Sequence, residues 1–475
     1  MEFLSKIYEV IMYIFTGALF KIPLPGGSSI DISLMIILLV PTGIYFMIRT
    51  KLLPIRMFPE MLRLSTEKGN KGREKGTISG IQALIVSTAT RVGMGNLIGV
   101  VAAIVLGGAG AIFWMWIMAI IGSSTAFVEA TLAQKYKEED PLYGGYRGGP
   151  AYYIHKLFAR GKKKSIIAIL FALSGLLCWC AISGVSSNSV TMMFETAFNI
   201  PRIVTVIILV LISAFIVLRK HATVKVLDVI VPIMAVIYFC LTVFVICKNI
   251  TLIPSVFERI FKEAFGLRQV VSGGIGATLL FGVQRGLFSN EAGSGSAPCA
   301  AAAADVDHPA KAGLFQALGV LIDTVVICTC TAMILLLVPE EISGGLQIAE
   351  YLSVAMEFHF GKIGVAFIAI VLFLFSFSTF IGVLFYARSN VAYVFGDNWT
   401  SQTVYKVIAL VMFFVGGLLS EDSVWGFSDI GIGLMTVFNV VAILAMSKQA
   451  MNELDDYTGI MKARKKERKE SKKNS

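Results

Sequence analysis

One polar motif occurs twice in the chain, each time inside an apolar segment. The first copy reads R-V-G-M-G-N-L-I-G from Arg91 to Gly99, and the second reads R-G-L-F-S-N-E-A-G from Arg285 to Gly293. Each glycine lowers helix propensity by about 1 kcal/mol relative to alanine and leaves backbone amides and carbonyls approachable. The shared pattern R-x4-N-x2-G therefore predicts two interrupted helices.

Interrupted helices of this kind can bind ions and small polar molecules. Unwound backbone at membrane depth is tolerated only where it is buried in protein or lines a cavity. The N-termini of half-helices favour a carboxylate, whereas free carbonyls and half-helix C-termini can hold a small cation such as sodium. A small zwitterion with a monovalent cation satisfies both ends. Close helix packing is the alternative role of any single glycine.

The two arginines of the motifs need counter-charges. An arginine near the middle of a bilayer costs at least about 3 kcal/mol on insertion scales, so we expect both guanidinium groups to be paired or hydrated. The spacing leaves open whether either one contacts a substrate. We interpret the following residues, which lie within or near apolar segments, as gating or structural charge pairs: Arg91, Glu129, Arg285, Glu291, Asp323 and Asp429.

Membrane-spanning helices must carry these motifs. The chain has 475 residues, 56% hydrophobic and 15% charged, with a mean hydropathy of +0.77, whereas soluble domains contain about 25% charged residues. Continuous apolar runs of about 20 residues favour spanning helices over a barrel. We predict an all-α polytopic membrane protein with eleven transmembrane helices, at 31–49, 78–105, 109–134, 165–194, 201–218, 224–247, 270–298, 312–338, 361–394, 403–419 and 426–447.

The ten helices after the first divide into two halves of five, and each half opens with one copy of the motif. Because five is odd, the second half is predicted to lie upside down relative to the first, as in the inverted repeats of secondary transporters. The two motifs would then meet near the bilayer midplane. The predicted organisation is an N-terminal interfacial helix (1–30), the extra transmembrane helix with a basic cytoplasmic loop (31–77), the first repeat (78–248), an extracellular loop (249–269), the second repeat (270–447) and a mostly disordered basic cytoplasmic tail (448–475).

Most of the 41 lysine and arginine residues fall in loops on one side of this map. The positive-inside rule places that side in the cytoplasm. We therefore predict a multi-pass protein of the cell membrane with its N-terminus outside and its C-terminus in the cytoplasm. The formal net charge of +10 is explained by these loops and the tail, and it does not indicate a nucleic-acid partner.

Several longer segments resemble one known family, the alanine or glycine:cation symporters, over nearly the whole chain. They include Val92-Gly-Met-Gly-Asn-Leu-Ile-Gly-Val, Gly148-Gly-Pro-Ala-Tyr-Tyr-Ile, Asp323-Thr and Ser428-Asp-Ile. The most specific is the run from Arg285 to Pro298. The resemblance implies a leucine-transporter-type fold preceded by one extra helix, and uptake of alanine or glycine with sodium or, in some members, protons.

The resemblance also implies which residues bind the two solutes. Substrate would contact the break of the first core helix and a matching break in the sixth core helix, at Gly93, Met94, Gly95 and Asn96, and at Phe281, Gly282, Gln284 and Gly286. Sodium would bind the carbonyls of Ala89, Val92 and Phe375 and the hydroxyls of Ser378 and Thr379. The chain departs from the family pattern at Met94, Val383 and Arg388, where the family commonly has Thr, Trp and Glu.

The leading hypothesis is therefore cation-coupled import of a small neutral amino acid, without covalent chemistry. A related symporter of the same fold with another small amino acid as substrate is the first alternative. An ion channel is disfavoured because broken helices in two inverted halves are not how selectivity filters are usually built. No HExxH or GxSxG motif occurs, so we predict no enzyme, no catalytic residue and no cofactor beyond the coupling ion. The partners are substrate, sodium and the bilayer, and the oligomeric state is left open.

Overall fold

The computed structural model describes residues 19–23, 29–67, 77–93, 95–159, 161, 163–219, 222–267, 274–343, 345–346 and 348–473. The helices of the N-terminal part are α1 (Leu34–Arg49), α2 (Leu53–Arg56), α3 (Phe58–Ser65), α4 (Gly80–Arg91), α5 (Val100–Gly107), α6 (Ala111–Lys135), α7 (Pro150–Phe158), α8 (Ile166–Phe198), α9 (Arg202–Val217), α10 (Ala222–Lys248) and α11 (Ile253–Ala264).

The C-terminal part contains α12 (Gly274–Asn290), α13 (Pro298–Ala303), α14 (Pro309–Val320), α15 (Cys328–Leu336), α16 (Glu340–Ser343), α17 (Ile348–Phe360), α18 (Lys362–Phe395), α19 (Trp399–Gly416), α20 (Glu421–Ala445) and α21 (Ser447–Lys473). Two π-helical segments, Gly95–Gly99 and Leu321–Ile327, precede α5 and join α14 to α15. A 3-10 turn, Ile250–Leu252, leads into α11.

The structure confirms a mostly helical protein with several helices that are apolar enough to span a membrane. Within the described residues, seven helices are long and apolar enough to cross a membrane, and the bent pair Gly80–Arg91 and Gly95–Gly107 would be an eighth. The helices α1 and α9 are apolar but have only 16 residues each. A helix lies in each of the eleven predicted ranges. The count of eleven spans and the inverted repeat remain predictions.

The N-terminal prediction needs a correction where the structure describes it. Residues 1–18 of the predicted interfacial helix lie outside the described residues. From Phe20 the chain forms two antiparallel strands instead, β1 (Phe20–Pro23) and β2 (Ser29–Ile32), with Phe20 opposite Ile32. The alternating Ser-Ile-Asp-Ile of β2 suits a strand. A second short pair is β3 (Glu138–Glu139) with β4 (Tyr146–Arg147).

The basic tail is helical rather than disordered. Helix α21 buries Met451, Leu454 and Tyr457 on one face, at a spacing typical of an amphipathic helix. On that face Glu60 of α3 accepts hydrogen bonds from the Tyr457 hydroxyl at 2.7 Å and from Arg464 at 2.8 and 2.9 Å. The many charged residues of the tail made this apolar stripe hard to recognise from the sequence. Helix α21 packs on the ends of α6 and α14.

Helix packing places both motifs at the centre of the bundle. Helix α6 packs along α12 and α14, and α8 packs along α18, α19 and α20. The end of α4 lies against α18. The predicted loop 249–269 contains α11, whose Glu263 accepts a hydrogen bond of 2.6 Å from the backbone amide of Ala109. This contact fixes α11 over the junction between α5 and α6.

Candidate functional site

The first motif lies at a break in a helix, as predicted. Helix α4 starts with a capping box formed by Ser79 and Gln82 and ends at Arg91. Val92 leaves the helical conformation, with φ −73° and ψ 76°, and the chain resumes as the π-helical segment Gly95–Gly99. The two helical parts are bent by 57°. Met94, a predicted substrate residue, lies outside the described residues.

The absence of a side chain at Gly93 allows α18 to approach the break closely. A Cβ atom on Gly93 would lie 2.2 Å from the Thr379 hydroxyl oxygen, well inside van der Waals contact. A neighbouring glycine of the same motif, Gly99, has nothing within 4 Å of an added Cβ. The first break is therefore packed directly against the residue predicted to bind the cation.

A cluster of oxygen atoms joins α4 to α18 at this point. The Ser378 hydroxyl donates to the carbonyls of Phe375 at 2.8 Å and Ala89 at 3.3 Å. The Thr379 hydroxyl donates to the same carbonyls at 3.0 and 3.4 Å. All four residues are buried, as is the adjacent Val92. The structure thus brings together the groups that the sequence resemblance assigned to sodium, with Val92 at the end of the same helix.

The second break lies later in the chain than predicted. Helix α12 is continuous from Gly274 to Asn290, so the predicted break at Phe281–Gly286 is wrong in position. The chain leaves the helix at Glu291, whose φ is +52°, and Gly293 and Gly295 also have positive φ. The side-chain oxygen of Asn290 accepts a hydrogen bond of 2.9 Å from the backbone amide of Ala292. Such local side-chain bonds compete with continuation of the helix.

The glycines of α12 serve close packing, which was the alternative reading of a membrane glycine. A Cβ atom on Gly282 would lie 2.6 Å from the carbonyl oxygen of Ala111, and one on Gly286 would lie 3.1 Å from the Cα of Met115. Both contacts are with α6. Phe281 packs beside Gly107, where α5 ends. Helix propensity is the same for a packed glycine and a breaking glycine, so the sequence could not separate them.

Both motifs bond to one buried residue, Asp323, in the π-helical segment Leu321–Ile327. Its Oδ1 accepts from the Asn96 amide at 2.7 Å, and its Oδ2 accepts from the Ser289 hydroxyl at 2.7 Å and the Thr324 hydroxyl at 2.9 Å. Ser289 and Thr324 were not among the predicted site residues. Ser289 lies within the second motif, and its position next to Asn290 was the available signal.

Arg91 is surrounded by carboxylates without touching them. Its three side-chain nitrogens are buried and form no hydrogen bond with the described residues. Its guanidinium lies against α14, because a Cβ on Gly319 would lie 2.7 Å from the Arg91 Nη1. The Arg91 charge acts electrostatically on Glu129, Glu291 and Asp323. The predicted charge pairs of Arg91 are therefore interactions through space.

A cavity of about 230 Å³ adjoins the second break. Its lining combines the guanidinium of Arg285, the carboxylates of Glu291 and Asp429, and the amide of Gln284. Asp429 of α20 interacts electrostatically with Arg285 of α12. Apolar surface comes from side chains that include Trp179, Phe288 and Leu39. A cavity with groups of both charges and an apolar wall suits a zwitterion with a small side chain.

The two described departures from the family pattern lie away from this cavity. Val383 is buried in the core of the bundle. Arg388 stacks over the Phe385 ring at 4.0 Å and donates to the Tyr146 carbonyl at 3.4 Å. Arg388 therefore anchors the end of α18 to β4.

Comparison with known proteins identifies the family. The family model described as the sodium:alanine symporter family matches residues 27–472. The chain belongs to this family. It is 43% identical over 434 residues to the probable sodium/glutamine symporter GlnT of Bacillus subtilis, covering 91% of this chain and 89% of that one. It is 33% identical over 432 residues to the sodium/alanine symporter AgcS of Methanococcus maripaludis, covering 90% and 95%.

Solved structures support the fold alone. A manganese transporter variant of Eremococcus coleocola matches with a TM-score of 0.54 and 14% identity, covering 80% of this chain and 81% of that one. Family members are membrane symporters and not enzymes, which confirms the predicted class of function. Sodium as coupling ion follows from the family, whereas the preferred substrate does not.

Proposed function

We propose that the protein imports a small neutral amino acid together with sodium by alternating access. The observation that carries this proposal is the oxygen cluster of Ala89, Phe375, Ser378 and Thr379, which joins the first break to α18. Hydroxyl and carbonyl oxygens are ligands that a hard cation prefers. The hydroxyl hydrogens can rotate away, and the carbonyl of Val92 would then complete the set.

The cation would favour one arrangement of the bundle. Sodium held between α4 and α18 links two elements that separate when the bundle opens on the other side. A ligand shifts a conformational equilibrium only by its differential affinity for the two states. Sodium bound to both elements therefore stabilises the closed contact between them, which is the outward-open arrangement, and substrate contact with both breaks permits the change.

The cavity at the second break is our candidate for the substrate's entry and recognition. Arg285 would attract the substrate carboxylate, and Glu291 and Asp429 would attract its ammonium group. The wall formed by the first break, Gly93, Gly95 and Asn96, would hold the carboxylate after closure, with Gln284 on the other side. In this proposal the N-terminus and the cavity face outside, and the tail helix α21 lies in the cytoplasm.

Alanine and glutamine are the two substrates to separate. The family description and AgcS carry alanine in their names, whereas GlnT carries glutamine. We propose alanine or glycine as substrate and glutamine as the second candidate.

The test is transport by the purified protein in liposomes. Labelled alanine, glycine and glutamine are offered in parallel, with an inward sodium gradient, an inward proton gradient, or neither. We expect uptake of at least one of the three to rise about tenfold or more with the sodium gradient, since accumulation requires coupling to a gradient. Equal uptake under all three conditions would contradict sodium symport, and uptake driven by protons alone would replace sodium as the coupling ion.

A further inference from the structure

We propose that Glu129 and Asn439 are positioning residues for the second break. Their side chains replace the helical hydrogen bonds that Gly293 has lost, and they hold the segment Glu291–Ala297 in the place that substrate recognition requires. The inference rests on the proposed function and adds residues to it that contact backbone instead of substrate. Glu129 was predicted as part of a charge pair, and Asn439 was not among the predicted site residues.

The two side chains bind both polar backbone groups of Gly293. The Gly293 amide donates to Glu129 Oε1 at 3.2 Å, and the Gly293 carbonyl accepts from Asn439 Nδ2 at 2.9 Å. Asn439 Nδ2 also donates to Glu129 Oε2 at 2.9 Å, and the Tyr153 hydroxyl donates to Asn439 Oδ1. Four groups on four separate elements, α6, α20, α7 and the break, thus form one closed network.

Burial makes this network expensive to disturb. Glu129 and Asn439 are both completely buried. A buried backbone group without a partner costs about 1–3 kcal/mol. The interruption of the helix leaves the amide and the carbonyl of Gly293 without helical hydrogen-bond partners. The carboxylate is required because it accepts at both oxygens, once from Gly293 and once from Asn439. A glutamine there offers one acceptor and turns its amide donors toward the donors of Asn439.

The network positions the cavity lining. Gly293 lies two residues after Glu291 and one residue before Ser294, and both of these line the cavity. Leu39 of α1 closes the space above Gly293, because an added Cβ would lie 2.6 Å from its Cδ2. A shift of Gly293 therefore moves the carboxylate of Glu291 relative to Arg285. The oxygen cluster around Thr379 makes no contact with Glu129 or Asn439 among the described hydrogen bonds.

This arrangement predicts a separation of two kinetic constants. Disturbing the network should raise the KM for the amino acid and leave the KM for sodium nearly unchanged. A purely structural role would lower the amount of folded protein and change both constants together or neither. The separation is thus the signature of positioning.

The test uses Glu129→Gln, Asn439→Asp and the double variant in liposomes. Each single variant should raise the KM for the amino acid about tenfold or more and change the KM for sodium less than about twofold, because one buried donor or acceptor is lost. In the double variant the glutamine amide donates to the aspartate, and its oxygen accepts from Gly293. We expect the double variant to recover at least about threefold over either single variant, without reaching wild type, because the Gly293 carbonyl stays without its donor.

A matched control and a transport-independent measurement complete the test. Glu453→Gln removes the partner of Lys135 at the end of α6 and should leave both constants unchanged. Hydrogen exchange of the segment 291–297 should be faster in each single variant and slower again in the double variant, whether or not the protein transports. Single variants with wild-type exchange and wild-type KM, or a double variant no better than the singles in both measurements, would overturn the proposal. Absent uptake by wild type would contradict the proposed function alone.

Discussion

Asn96 donates a hydrogen bond of 2.7 Å to Asp323, and through that carboxylate the first motif is linked to the second. The other oxygen of Asp323 accepts from Ser289, one residue before the asparagine of the second motif. The two motifs are thus linked through a third element, the π-helical segment Leu321–Ile327. Such segments often occur at functional sites in helices.

Replacing the bridging carboxylate should separate the two motifs. Asp323→Asn turns one acceptor oxygen into a donor that faces Asn96 or Ser289, and a buried unmatched group costs about 1–3 kcal/mol. We expect sodium-driven uptake to fall about tenfold or more while the protein remains folded by size-exclusion chromatography. Asp307→Asn is the control, because Asp307 is exposed and pairs only with Lys311 among the described ion pairs. Normal uptake by Asp323→Asn would show that the bridge is dispensable.

The first break should tolerate no side chain at Gly93. Gly93→Ala places a methyl group 2.2 Å from the Thr379 oxygen, so the Thr379 hydroxyl, the break or α18 has to move. We expect sodium-dependent uptake to be lost. We also expect that sodium no longer raises the unfolding temperature of the protein. Gly99→Ala is the matched control in the same motif, since the space around it is open, and it should keep most of the uptake. Equal activity of the two variants would contradict the predicted packing at the break.

The hydroxyls of α18 should set the affinity for sodium. Thr379→Ala and Ser378→Ala each remove one predicted oxygen ligand, so we expect the sodium KM to rise about tenfold or more. Thr196→Ala removes a comparable hydroxyl, which bonds the carbonyl of Met192 in its own helix at 3.0 Å, and it should have no effect. The measurement is initial uptake rate against sodium concentration. An unchanged sodium KM in both α18 variants would remove these residues from the cation site.

The docking of the tail helix should depend on the charge of Glu60, and therefore on pH only below about 4.5. Burial alone would raise the pKa of Glu60, but hydrogen bonds from Arg63, Arg464 and Tyr457 outweigh burial and lower this pKa to about 2. A lowered pKa stabilises the folded state fully above the ordinary value of 4.5 and loses this contribution as the pH falls toward 2.

Thermal unfolding of wild type and Glu60→Gln measures this contribution. The variant should unfold at a lower temperature than wild type at neutral pH, and the difference should shrink as the pH falls below about 4.5. Glu258→Gln is the control, because Glu258 is an exposed partner of Lys262 and such pairs contribute little. A constant difference down to the lowest pH would contradict the role assigned to the Glu60 carboxylate.

The sequence predicts the large elements better than the positions of the breaks. Apolar length located a helix in every predicted range, and the family resemblance placed Ala89, Phe375, Ser378 and Thr379 together. The second break was predicted about one turn too early in the chain. Gly286 packs against Met115 within a continuous helix, whereas Gly293 lies in the break, and the sequence does not distinguish these two roles of glycine. The β1–β2 pair and the amphipathic face of α21 were masked by their polar and charged neighbours.

The interactions that hold the breaks in place are long-range, and periodicity does not report them. Glu129, Gly293 and Asn439 are separated by more than a hundred residues in sequence but form one hydrogen-bonded group. The sequence predicted charge pairing for Glu129, and only the fold shows that Glu129 and Asn439 bind the backbone of Gly293. The same holds for Asp323, whose partners come from three different segments.

The most direct test of the account is the flux of radioactive sodium into liposomes that contain the purified protein. The account predicts that sodium enters only when a transported amino acid is present, and that Thr379→Ala lowers this entry and amino-acid uptake together at sodium concentrations below the raised KM. Sodium entry at the same rate without amino acid would indicate a channel, and amino-acid uptake without any sodium entry would contradict the cation site between α4 and α18.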